Sequence, residues 1–136
     1  MEVAFRYYCN LSSKIFQAAL IIKYWGKAHD ITGINGKFSN YSLTLMLIFQ
    51  LQQTPYYLPS VIELQKNPTF QNMQDGWNGG FQPMEFVNVY FEKWTVRKML
   101  HDFFEYYANF KYNFNIISPY LGTFLYLILT LMIVRF

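Results

Sequence analysis

The chain is expected to fold as an all-α protein, and three stretches with helical periodicity carry that expectation. They run from Ser12 to His29, from Ser39 or Asn40 to about Gln53, and onward from about Thr95. In the first, Ser12 or Ser13 can cap the helix, and Ile15, Ala18, Ala19, Ile22 and Tyr24/Trp25 recur at helical spacing. It ends before a loop, Ile31 to Lys37, that contains Gly33 and Gly36. In the second, Tyr41, Leu43, Leu45, Met46, Leu47, Ile48, Phe49 and Leu51 make the helix apolar nearly all round, which marks a central, buried element. Thr54-Pro55 stops it. A Pro-punctuated loop, Pro55 to Pro59, precedes a short segment, Val61 to Gln65. Asn67 to Gln82, rich in Asn, Gln and Gly, reads as an exposed loop. In the third, Val96, Met99, Leu100, Phe103, Phe104 and Tyr107 form an apolar face, with Arg97, Lys98, Asp102 and Glu105 on the wet one. Asn113 to Pro119 reads as a turn.

Composition sets the outer bounds. A chain of 136 residues suits one domain with one core. It is 53% hydrophobic and 21% aromatic but only 14% charged, against about 25% charged in an ordinary domain. Either part of the surface packs against protein or part of it meets lipid. The net charge of +3 is mild, well short of the basic stripe of a dedicated nucleic-acid binder. Cys9 is the one cysteine, so no internal disulfide forms. His29 and His101 have no cysteine or nearby second histidine with which to build a zinc-type ligand set. The opening Met-Glu-Val-Ala-Phe-Arg has neither signal-peptide nor transit-peptide character.

Three clusters are chemically suggestive. Lys23 and Lys27 lie four apart, stack on one helix face and can clamp a polyanion such as a triphosphate; by spacing alone such a pair is more often just a solvated face. Ser39-Asn40-Tyr41-Ser42 offers the backbone N–H groups of a helix start, small polar side chains and an aromatic plane. The plain alternative is a helix cap followed by a core tyrosine. Asp102 and Glu105 share a helix face, but Lys98 and His101 flank them and surface ion pairs account for them. No Asp-x-Asp or Asp-x-Glu occurs anywhere, so the carboxylate set required for two-metal phosphoryl transfer is missing from the chain.

The run Leu20-Ile21-Ile22-Lys23-Tyr24-Trp25-Gly26-Lys27-Ala28-His29, then a Gly-containing loop, then Phe38-Ser39-Asn40-Tyr41-Ser42-Leu43-Thr44-Leu45-Met46 resembles the noncanonical poly(A) polymerases and terminal uridylyltransferases. Phe103 to Phe110 with Asn115-Ile116-Ile117-Ser118 is similar to the start of that family's poly(A)-polymerase-associated domain. The resemblance covers roughly residues 5 to 122. It implies a fragment of a template-independent RNA nucleotidyltransferase: the helical wall of a cleft whose other wall, a separate catalytic domain, carries three carboxylates for Mg2+ or Mn2+. It implies that Lys23 and Lys27 contact the triphosphate of ATP or UTP, that Asn40 lies beside the phosphates, and that Tyr41 stacks on the base. The partner would be an RNA 3′ end, whose hydroxyl attacks the α-phosphate and releases pyrophosphate, in an intracellular compartment. The chain alone is expected to be inactive.

Residues 1–122 are thus expected to form a partial helical domain, and 123–136 a divergent apolar tail. The uncharged stretch Thr123 to Val134 reaches about 14 residues with Leu121 and Gly122, short of the ~20 that span a bilayer as a helix. Two other readings are a non-catalytic nucleotide- or RNA-binding module and a small membrane-anchored helical protein.

Overall fold

Ser12 divides the first two helices. Its backbone is extended (φ −155°, ψ 129°), and its side chain accepts the Lys14 N–H at the start of the second. In the computed structural model, which describes residues 2–34, 38–53, 55–66, 73–74, 77–78 and 93–126, α1 spans Glu2–Leu11 and α2 spans Ser13–Ala28. Helix α1 was not foreseen. Its buried residues, Ala4 and Tyr8, are four apart and pack into the core.

Helix α3 (Asn40–Gln52) is the central one, with Leu43, Leu47, Ile48, Phe49 and Leu51 all buried. Helix α4 (Val61–Gln65) opens with a capping box, Ser60 accepting the Glu63 N–H while the Glu63 carboxylate accepts the Ser60 N–H. Helix α5 (Val96–Ala108) begins after the Thr95 cap and buries Met99, Phe103 and Tyr107. Helix α2 packs on α1, α3 and α5. Ile15, Ala18 and Ile22 of α2 share one apolar core with Leu47 and Leu51 of α3 and Met99 and Phe103 of α5. Helix α3, which has little polar face, thus buries its side chains in the core that α2 and α5 also line.

The all-α expectation holds for the bulk of the described chain and fails at its edges. Asn115–Ser118 (β3) and Thr123–Tyr126 (β4) form an antiparallel hairpin, with Asn115 opposite Tyr126 and Ser118 opposite Thr123. A smaller pair, Met73–Gln74 (β1) and Trp77–Asn78 (β2), lies within the segment expected to be a loop. The boundary drawn at Gly122 therefore falls inside the β3–β4 hairpin. The physical reason is visible in the residue types: Ile116, Ile117, Phe124 and Tyr126 favour pleated backbone, and Gly122 supplies the positive φ (+73°) of the reversal. The rest of the apolar stretch, 127–136, lies outside the described residues. Among those described, no helix is long and apolar enough to cross a membrane.

The hairpin is tied to the helices through polar groups. Gln52 at the end of α3 donates to the Pro119 carbonyl (2.9 Å), and the neighbouring Gln53 donates to the Gly122 carbonyl (3.1 Å). The Ile62 N–H, in the first turn of α4 and without an intrahelical acceptor, donates to the Tyr120 carbonyl at 3.0 Å. The Tyr8 hydroxyl donates to the Pro59 carbonyl at 2.6 Å, so α1 is fastened to the same corner.

Candidate functional site

The two lysines lie toward the end of α2, where the α2 backbone comes close to Leu43 in the first turn of α3. Lys23 and Lys27 are both exposed, one turn apart near the end of α2. Gly26, between them in sequence, is buried. A methyl placed on Gly26 would stand 2.7 Å from Leu43 Cδ1 and 3.3 Å from Thr32 Cγ2. That absence of a side chain lets the α2 backbone approach the first turns of α3. A glycine inside a helical pattern is the sequence signal for such an approach.

The loop between the helices is clasped at its base. The Gly26 carbonyl accepts the N–H groups of Ile31 (2.8 Å) and Thr32 (3.2 Å), and the Phe38 N–H donates to the Ile31 carbonyl (3.1 Å). Thr32 and Phe38 form a parallel bridge, with Thr32 buried. The chain then enters α3 through Ser39, whose Oγ accepts the Ser42 N–H at 3.0 Å. Asn40 and Tyr41 occupy the first two helical positions, where N–H groups have no acceptor within the helix. Both side chains are exposed, Tyr41 at 54%. Tyr41 is therefore no core tyrosine; an aromatic plane at the helix start faces solvent.

The Asp102–Glu105 pair has other commitments. Asp102 Oδ1 accepts from the Lys98 ammonium at 2.8 Å, and Oδ2 accepts from the Tyr56 hydroxyl at 2.7 Å. Burial alone would raise the Asp102 pKa, but the hydrogen bonds from Lys98, Tyr56 and His101, with the Lys98 charge, outweigh it and hold the carboxyl below its ordinary range. His101 lies 3.4 Å from Asp102 and 3.6 Å from Glu105. These three side chains are close enough to share a cation. A divalent ion would have to displace an ammonium and a buried phenol from Asp102, so the group does not fit a magnesium or manganese site. His29 lies against Trp25, ring centroids 5.7 Å apart, which accounts for it without chemistry.

Two cavities open nearby. One, about 370 Å³, is mostly apolar and borders the first turns of α3 at Phe38 and Ser42. The other, about 480 Å³, lies between the end of α3, α5 and the hairpin. Neither is lined by Lys23, Lys27, Asn40 or Tyr41, which stand on open surface.

No family model matches the chain. Individual proteins do. Mouse mitochondrial poly(A) RNA polymerase is 31% identical over 117 residues, a match covering 82% of this chain and 20% of the mouse protein. The solved GLD-2/RNP-8 complex is 28% identical with a TM-score of 0.71, over 88% of this chain and 38% of the solved one. Over most of its length the chain is similar to the noncanonical poly(A) polymerases and uridylyltransferases. The fold agrees more widely: a crystal structure of mtPAP in complex with UTP superposes with a TM-score of 0.70 at 22% identity, over 88% of this chain and 27% of that one. The chain thus spans about a fifth of the length of the mouse polymerase that it matches.

Sequence periodicity missed the residues that hold the surface in place. Gly26 and Thr32 fix the α2–α3 approach, and Gln52 and Gln53 fasten the hairpin to α3. The glutamines gave no signal, because an amide in an apolar run reads as an interruption until its partners are known.

Proposed function

We propose that this chain supplies the triphosphate-facing helical wall of a template-independent RNA nucleotidyltransferase. The observation that carries the reading is the close approach at Gly26 and Leu43, which sets the lysine-bearing end of α2 beside the start of α3. Two ammonium groups one turn apart offset the charge of a triphosphate, and the first-turn N–H groups and dipole of α3 favour phosphate oxygens. Asn40 adds a short polar side chain there, and the exposed Tyr41 ring offers a stacking plane for the base. The relative solved in complex with UTP is consistent with a nucleotide held by this fold.

The reaction proposed for the whole enzyme is attack of an RNA 3′ hydroxyl on the α-phosphate of ATP or UTP, with release of pyrophosphate. Magnesium or manganese would neutralise charge at the transferring phosphate, held by carboxylates that this chain does not contain. The part played by this chain is to bind and orient: the lysines and helix start fix the triphosphate, and the tyrosine limits rotation of the base. The setting is intracellular, where nucleoside triphosphates and RNA ends occur together.

The test is triphosphate binding by the chain itself. ATP and UTP should bind at millimolar affinity, and Lys23→Ala or Lys27→Ala should each cost about 1–3 kcal/mol, the range for charge-assisted hydrogen bonds. Equal binding by the unaltered chain and by the double variant would place the site elsewhere.

A further inference from the structure

The hairpin presents one strand edge without a neighbour. Among the described residues β4 pairs with β3 alone, and β3 packs against α3, so the outer edge is that of β4. Alternate residues of an antiparallel strand turn their N–H and C=O groups away from the partner strand. Such an edge is ordinarily blunted by a charge or a proline. This one is not: β4 has neither, the whole span from Asn115 to Tyr126 is uncharged, and all four residues of β4 are exposed. The edge is also held in place, because Gln53 donates to the Gly122 carbonyl and the Ile62 N–H to that of Tyr120. A strand fixed in this way loses little freedom on pairing.

Charge narrows the class of partner. The net charge of +3 resists association of two copies through their charged faces, but not through this neutral one. The chain's own continuation is poorly suited to return along β4, since Leu127 to Phe136 contains no Gly, Asn, Asp or Pro, the residues that reverse a strand tightly. A second copy brings an equally neutral, apolar strand. Register follows from the faces. Ile117 stands opposite Phe124 and packs on the core, whereas Ile116 stands opposite Leu125, 36% and 39% exposed. A two-fold axis perpendicular to the sheet keeps like face beside like face, so residues of the same face must be opposed. Centred on Phe124, the pairing would set Tyr126 against Gly122, whose φ of +73° belongs to the turn. Centred on Leu125, it sets Phe124 of one copy against Tyr126 of the other and leaves the turn out.

We propose that β4 is a self-association edge, through which two copies pair antiparallel with Leu125 opposite Leu125, in the strand order β3-β4-β4-β3. One such edge per copy closes the assembly at two. Tyr120, Leu121, Phe124, Leu125 and Tyr126 all expose apolar surface. With about 150–250 Å² in a whole aromatic side chain, they offer on the order of 500 Å² per copy, roughly 1,000 Å² in all, the lower bound of a specific interface. The dimer is accordingly weak, with a dissociation constant on the order of 10–100 μM. It does not depend on the reading given for the lysine-bearing surface.

The test is sedimentation velocity of the full chain over a concentration range spanning that value. The unaltered chain should pass from monomer to dimer. Leu125→Lys and Leu125→Glu each set like charges face to face across the axis, so each alone should weaken the dimer about tenfold or more. Mixed together, the two variants should recover it, because opposite charges then meet. Circular dichroism of both should match that of the parent. Should neither variant fold, amide exchange of the unaltered chain decides: Thr123–Tyr126 should exchange more slowly as concentration rises, while α2 does not change. A monomer at every concentration, assemblies that grow beyond two, a dimer that both folded variants leave intact, a mixture that stays monomeric, or exchange in β4 that ignores concentration would overturn the proposal.

Discussion

Gln52 and Pro119, separated by 67 positions in the chain, are joined by a hydrogen bond from the Gln52 side-chain amide to the Pro119 carbonyl at 2.9 Å. The same amide nitrogen lies 3.4 Å from the Pro59 carbonyl and 3.5 Å from the Tyr8 hydroxyl. One buried side chain thus links α3, the loop before α4, α1 and the hairpin. Gln52→Leu keeps the volume and strands the Pro119 carbonyl, whose other donor, the Val61 N–H, is 3.5 Å away. The expected loss is about 1–2 kcal/mol in urea denaturation. Faster amide exchange should appear in Asn115–Ser118 before it appears in α2.

Gly122 is constrained twice. Its φ is +73°, and a methyl there would stand 2.8 Å from Ser60 Cβ. Left-handed backbone costs a non-glycine residue about 1–2 kcal/mol, and a core overlap about 1–3 more. Gly122→Ala should therefore lose about 2–5 kcal/mol, whereas Gly33→Ala, with φ +98° and open space around it, should show the backbone cost alone. Comparing the two denaturation midpoints separates strain from collision.

Acid should weaken the α5 side of the molecule. The Asp102 carboxyl is held below its unfolded value, so its contribution is present above about pH 4 and lost as pH falls through the folded value. Tyr56→Phe removes one of the donors responsible and should cost about 1.5–2 kcal/mol at neutral pH. It should also flatten the acid limb of a stability-against-pH curve. An unchanged limb would mean that Asp102 does not control it.

Alkali should act through buried phenols. Burial, first among the causes, raises the pKa of Tyr8, Tyr56 and Tyr107 above the ordinary tyrosine value. Neutral phenol is favoured in the folded chain, so the stabilisation is full below about pH 10 and declines as pH rises beyond it, where the unfolded chain ionises first. Stability measured by urea denaturation should drop between pH 9 and pH 11, by about one to a few kcal/mol in total. Tyr8→Phe should shrink that drop.

The chain alone should add no nucleotide to RNA with magnesium or manganese present, because it has no Asp-x-Asp or Asp-x-Glu pair to hold the ions. Template-free 3′ extension that persists through repeated purification would refute this.

The helices were readable wherever periodicity and punctuation agreed. Of the caps expected, Ser12 or Ser13 and Ser39 or Asn40, the structure uses Ser12 and Ser39; the third helix starts just after Thr95, and α3 ends at Gln52, before Pro55. Helix α1 was not readable, because its buried face consists of a small residue, Ala4, and a phenol, Tyr8, which a search for aliphatic periodicity passes over. The hairpin was misread for a different reason. Thr123–Tyr126 is uncharged on both faces, so it lacks the alternation that marks a half-buried strand, and its partner Asn115–Ser118 was taken for a turn. At the candidate surface, the types and spacing of Lys23, Lys27, Asn40 and Tyr41 were legible. The contact that positions them was not, since Gly26 against Leu43 is a property of two helices and not of either one.

The clasp between Thr32 and Phe38 has a consequence for how this surface tolerates change. Because the strand-like bridge and the Phe38-to-Ile31 hydrogen bond close the loop at its base, the spacing of the two helix ends is set before positions 33–37 are reached. Loop-closure cost grows only slowly with length, about 0.6 kcal/mol for each doubling. Those positions can therefore accept insertions, or a fluorescent or affinity tag, while the lysines and the start of α3 keep their registration. A reporter attached at Ile34, whose side chain is fully exposed, would leave that registration as it is.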